Sequence, residues 1–96
     1  MAKRANRYRV TVELLTLASG LAATASPLQL EVDNHDEILG IVRRLQEKNP
    51  FNDPQQAAAL AVGLKLFSEV MLQNRRHPVF EELLPAFWVF MEKLKK

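Results

Sequence analysis

Cysteine is absent from this chain of 96 residues. That excludes a disulfide framework, a thiolate metal site and a cysteine nucleophile, and it leaves the fold to be held by packing in a way compatible with a reducing cytoplasm. Glycine is scarce as well. The three glycines, at 20, 40 and 63, form no phosphate-cradling loop and no nucleophile elbow. An excess of one charge is also lacking: 13 Lys and Arg stand against 11 Asp and Glu, for a formal charge of +2, which argues against a strongly electrostatic nucleic-acid binder. No stretch is long and apolar enough to span a bilayer, so no membrane partner is expected.

The two histidines complete no site. His35 lies in the acidic stretch Asp33 to Glu37, but a helix N-terminus accounts for those acids and no second ligand cluster matches it. His77, beside Pro78, reads as a capping or linker residue. Ser19, Ser26 and Ser68 have no identifiable base or orienting acid. We therefore expect no catalytic residue, no metal and no cofactor, and a chain that is not an enzyme.

What the chain has in plenty is apolar residues, 48% of the total, and they gather in Ala57 to Leu72, AAALAVGLKLFSEVML. As a helix this run puts Leu60, Leu64, Phe67 and Met71 on one face and extends apolar character beyond it through Val62, Leu66 and Val70. Lys65, Ser68, Glu69 and Gln73 mark a narrow wet strip. Leu64 and Phe67 are the expected core, and the small pair Ala59 and Gly63 points to a close backbone approach by another element. Asp53 as N-cap, Pro54 at the first helical position and Pro78 beyond Arg75 bound the helix at 54–75.

The flanking segments supply what would cover it. Tyr8, Val10, Val12 and Leu14 alternate with Arg9, Thr11 and Glu13, and Leu28, Leu30 and Val32 with Gln29 and Glu31, so two strands form an antiparallel hairpin over 7–33. Lys3, Arg4, Arg7 and Arg9 before LLTLASGLAATAS imitate a signal peptide; Glu13 and the alternation favour the strand instead. Asn34 and Glu37 have capping-box spacing, and Ile38, Ile41, Val42 and Leu45 follow the helical period, giving a helix at 35–48 that Asn49 and Pro50 stop. Phe51 is placed to close over the core. A last helix at 78–95 carries Phe80, Leu84, Phe87, Met91 and Leu94 on one face and is kinked at Pro85. The fold class is α+β: a single domain, 1–96, with a basic tail at 1–6, a two-stranded hairpin and three helices (ββααα), the central helix most buried.

The blocks RYRVTVE, LEVDNHDEILGIVRRL and ALAVGLKLFSEVMLQNRRHPVFEEL together resemble a short bacterial family of unknown function, domain of unknown function thirty-eight sixty-one. The resemblance covers nearly the whole chain and is most specific from Leu60 to Phe80. It implies a hairpin followed by helices and a bacterial source, and it carries over no functional residue. The segment from Leu17 to Ser26 is longer and more apolar than the family pattern.

Two surfaces remain as functional candidates. Trp88, Val89 and Phe90 are consecutive, so a helix points them in three directions, and with Leu94 they form a candidate protein interface that would serve self-association. Other protein partners carry no sequence signal. The alternative is weak nucleic-acid binding by Lys3, Arg4, Arg7 and Arg9 on a basic strand, although Glu31 joins that face and no aromatic platform accompanies it.

Overall fold

The computed structural model describes residues 4–96. Their order is β1 (Asn6–Val12), β2 (Leu28–Asn34), α1 (Ile38–Lys48), α2 (Pro54–Gln73), α3 (Pro78–Glu81) and α4 (Leu83–Lys95). The architecture is α+β, an antiparallel two-stranded hairpin followed by four helices, one more than the sequence predicts. The chain divides into two compact units, the hairpin up to Ile38 and the helices Leu39–Lys96.

In the first unit the register pairs Tyr8 with Val32, Val10 with Leu30 and Val12 with Leu28, and on the alternate positions Arg7 with Asp33 and Arg9 with Glu31. The period of two thus sorts apolar and charged residues onto opposite faces, as the alternation predicts. Both strands differ from expectation by two or three residues: β1 ends at Val12, and β2 runs on to Asn34. Beyond them stands an isolated antiparallel bridge, Thr16 to Ala22. It encloses a turn in which Gly20, at φ 87°, donates its amide to the Leu17 carbonyl at 2.9 Å. A positive φ of that size is readily adopted by glycine alone.

The start of α1 departs from the predicted capping box. Asn34 Oδ1 accepts the Asp36 amide at 2.9 Å, a local turn that keeps residues 35–37 out of the helix. The hydroxyl of Tyr8 takes over the capping role. It accepts the Ile38 amide at 3.0 Å and donates to the Asp36 carbonyl at 2.9 Å, and Asn6 Nδ2 donates to the same carbonyl at 3.2 Å. One free amide of the helix N-terminus is thereby satisfied from a strand thirty positions away.

The helical unit is built on one side of α2. Leu45 of α1 is buried together with Ala57 and Ala61, and Ile41, Val42, Leu60 and Leu94 pack against them. Two alanines four apart present a smooth face that a leucine from α1 covers. α1 ends as predicted, with Asn49 in the left-handed region at φ 50° and its amide on the Leu45 carbonyl at 3.0 Å. Asp53 caps α2, Oδ1 accepting the amides of Gln55 at 2.9 Å and Gln56 at 3.4 Å. Phe51, expected over the core, is exposed.

One helix end has a partner that the local pattern does not reveal. Lys48, which fits the negative end of its own helix, instead reaches α4: its Nζ donates to the carbonyls of Leu94 at 3.2 Å, Lys95 at 3.1 Å and Lys96 at 3.3 Å, placing a cation on carbonyls that lack a helical donor. His77 caps α3 as expected, Nδ1 accepting the Val79 amide at 3.1 Å. The predicted kink at Pro85 moves to Glu82, the boundary between α3 and α4. Pro85 is the third residue of α4, where its missing amide would have had no helical acceptor, so the ring is accommodated without a break.

The expectation that α2 is wrapped on several sides is not met. Ala57, Ala61 and Met71 are buried, but Leu64 is half-buried and Phe67 is 41% exposed. The wet strip is also elsewhere. Lys65, Ser68 and Glu69 are half-buried, whereas Ala59, Gly63, Phe67 and Val70 are exposed. Nothing lies within 4 Å of where a Cβ on Gly63 would stand, so no element of the chain approaches the Ala59 and Gly63 pair closely. Long charged side chains can lie along apolar surface with their heads in water, which is why Lys65 and Glu69 do not mark the open side.

Chemical denaturation checks this assignment. Met71→Ala, at a fully buried site, is expected to cost about 2 to 5 kcal/mol. Phe67→Ala, at a site open on one side, is expected to cost less than Met71→Ala; the reverse order would place the core on the wrong face. Tyr8→Phe removes the acceptor for the Ile38 amide and is expected to cost about 0.5 to 1.5 kcal/mol.

Candidate interaction surface

The basic strand is matched by acids within its own hairpin. Arg7 Nη1 meets Asp33 Oδ1 at 3.0 Å, Arg7 Nη2 meets Glu31 Oε1 at 2.9 Å and Arg9 Nη2 meets Glu31 Oε2 at 3.2 Å. Arg7 and Arg9 face their acids because the register sets them directly opposite Asp33 and Glu31, and Arg7 also reaches diagonally. Hydrogen bonds from Arg7 and then Arg9, with the nearby Arg7 charge, hold the Glu31 carboxyl below the usual glutamate range. The bonds to Glu31 and the Asp33 charge raise the Arg7 guanidinium in turn. Two cations and two anions cancel over this patch, which leaves little of the positive field that a phosphate backbone would need. Of the other proposed nucleic-acid contacts, Arg4 is exposed and Lys3 lies outside the described residues.

Among the described residues no group of three or more His, Cys, Asp or Glu is placed to hold a metal ion, and no helix is long and apolar enough to cross a membrane.

The candidate protein interface divides. Trp88, Val89 and Phe90 are 46%, 53% and 40% exposed. Leu94 is not among the exposed residues: it is half-buried and packs against the cluster of Leu45, Ala57 and Ala61, because it lies on the α4 face that α1 and α2 cover. Val79 and Leu83 are exposed as well, so the open apolar surface begins ahead of the residues the sequence singles out. Aromatic rings join α4 to α2. Phe67 meets Phe80 with ring centroids 5.9 Å apart and Phe87 at 6.3 Å, and Phe87 meets Trp88 at 5.5 Å and Phe90 at 6.3 Å. Buried Phe87 thus underlies a surface shared by Phe67, Trp88 and Phe90. The clue to this in the sequence is the even spread of apolar residues around α2, more than one core face can absorb.

The depressed Glu31 carboxyl has a signed consequence. Its folded-state value lies below its unfolded one, so the cluster stabilises the hairpin above the ordinary glutamate range and that contribution is lost as pH falls through the folded value. NMR titration of Glu31 is expected to give a midpoint below that of an unpaired glutamate, moving up in Arg7→Ala and in high salt; an unchanged midpoint in Arg7→Ala would show that the pair is not formed in solution.

A family model described as a domain of unknown function with solved structure, DUF3861, matches residues 6–96. A crystal structure of a protein of unknown function from Pectobacterium atrosepticum is similar at 36% identity, covering 96% of this chain and 98% of that one, with a TM-score of 0.81. No protein of curated function matches. With the family pattern running from the first residue of β1 to the end of α4, the chain belongs to the DUF3861 family.

Proposed function

We propose that this chain is a non-catalytic bacterial protein-interaction module of the cytoplasm that pairs with a second copy of itself. The observation that carries the reading is the apolar surface left open on the helices, where Phe67, Val70, Val79, Trp88, Val89 and Phe90 are all exposed. Exposed apolar surface of this kind is a frequent mark of association.

The non-catalytic part of the reading rests on the sequence, which assembles no nucleophile with a base and an orienting acid. Nucleic-acid binding is the weaker alternative, since Arg7 and Arg9 are already paired with Glu31 and Asp33.

Light scattering of the purified protein over a dilution series tests self-association. The expected result is a mass of two chains at micromolar concentration, falling on dilution; one chain's mass at every concentration contradicts it.

A further inference from the structure

We infer that the pairing surface is the open face of α2, laid antiparallel across the same face of a second copy about a two-fold axis between Gly63 and Leu66. This inference rests on the self-association proposed above and names the surface that carries it. The sequence points to α4 instead.

Three observations lead to α2. First, none of its exposed positions is charged, and from Ala59 to Leu72 the exposed residues are Ala59, Gly63, Phe67, Val70 and Leu72, with no polar side chain among them. Ala59, Gly63, Phe67 and Val70 recur at intervals of four, four and three, so they form one continuous stripe. At 1.5 Å per residue it is about 16 Å long, three turns of helix in contact with water and without a charge. A helix whose solvent face is apolar is unusual in a monomer and ordinary at a helix–helix interface.

Second, the stripe is graded. Its N-terminal half is small, Ala59 and Gly63, and its C-terminal half is large, Phe67 and Val70 with half-buried Leu66 beside them. An antiparallel two-fold interface sets each residue away from the axis against a different residue of the partner, so one half must fit the other. In the antiparallel arrangement Ala59 meets Val70 of the second copy and Gly63 meets Leu66, small against large, while Phe67 comes opposite Val62. A parallel arrangement would oppose Phe67 to Phe67 and leave a gap between the two glycines. Open space at Gly63, where an added Cβ would meet nothing, is what the partner's Leu66 would fill.

Third, the stripe does not end at α2. Through Phe67 and Phe87 it continues to Phe90 and Trp88 on α4, which widens the contact beyond one helix crossing toward the ~800 Å² per partner of a stable interface. A second copy also satisfies the absence of charge: a self-paired face opposes each of its charges to a like charge near the axis, and this face has none to oppose.

The full chain with Gly63→Glu tests the seam. Glutamate is a better helix former than glycine, and its side chain enters open space in the single chain, so helix content by circular dichroism is expected to be unchanged. Its charge falls at the centre of the seam, and the dissociation constant is expected to rise at least 100-fold, read by sedimentation velocity against the unaltered protein. Leu39→Glu, exposed on α1 and away from the stripe, is expected to keep the two-chain mass. The arrangement is read independently by single cysteines, which the natural chain lacks: under mild oxidation a mixture of Ala59→Cys and Val70→Cys chains is expected to form mixed disulfides, and neither variant alone to cross-link with itself.

An unaltered protein that forms dimers while Gly63→Glu dimerises equally well overturns the seam and leaves self-association standing through another surface. A single-chain mass for the unaltered protein overturns both. Self-cross-linking of Ala59→Cys in preference to the mixed disulfide overturns the antiparallel arrangement.

Discussion

The helical unit depends on one contact, the burial of Leu45 against the alanines at 57 and 61 of α2. It fixes which side of a nearly all-apolar helix faces inward. Once Ala57 and Ala61 are chosen, Met71 is carried inside and Gly63 and Phe67 are carried out, because positions on a helix are locked in phase at 3.6 residues per turn. Lys48 then ties α1, which supplies Leu45, to the carbonyl end of α4, which supplies Leu94. Three helices share one small core.

Much of this was legible in the amino-acid order, and what was legible is local. Asp53 before Pro54 and Asn49 before Pro50 act through backbone groups within a few residues, so the end of α1 and the start of α2 follow from neighbours alone, whereas α2 stops at Gln73, two residues short of the expected Arg75. The alternation in β1 and β2 likewise gives strands, faces and pairing. The phase of α2 was not legible. Periodicity locates a core face by contrast with polar residues, and a helix with apolar groups around most of its circumference supplies too little contrast. Of the polar residues that were read as the wet strip, Lys65, Ser68 and Glu69 are half-buried and Gln73 alone is exposed. The small residues that mattered were Ala57 and Ala61, where the order offered Ala59 and Gly63 equally well.

Long-range partners were hidden for a different reason. The Tyr8 hydroxyl on the Ile38 amide and the Lys48 ammonium on the end of α4 join groups far apart in the chain, and a tyrosine or lysine in a strand or helix carries no sign of where its polar end goes. The sequence already set Glu31 on the face of Arg7 and Arg9; the register adds Asp33 opposite Arg7 and turns the shared face into ion pairs. Charges that counted as a site along the chain became a neutral cluster across it. For the candidate interface, consecutive Trp88, Val89 and Phe90 did signal exposed apolar surface, but Leu94 belongs to the core and the longer open stripe lies on α2.

The likeness to the Pectobacterium atrosepticum structure extends over almost the entire chain, hairpin and helices alike. The account's central claim is that α2 has one buried side, the side of Ala57, Ala61 and Met71. Methionine oxidation measures this directly, because a thioether reacts with peroxide only where the reagent reaches it. Under native conditions Met71 is predicted to oxidise far more slowly than half-buried Met91, and to match it only once the protein is unfolded; equal native rates for the two would contradict the account.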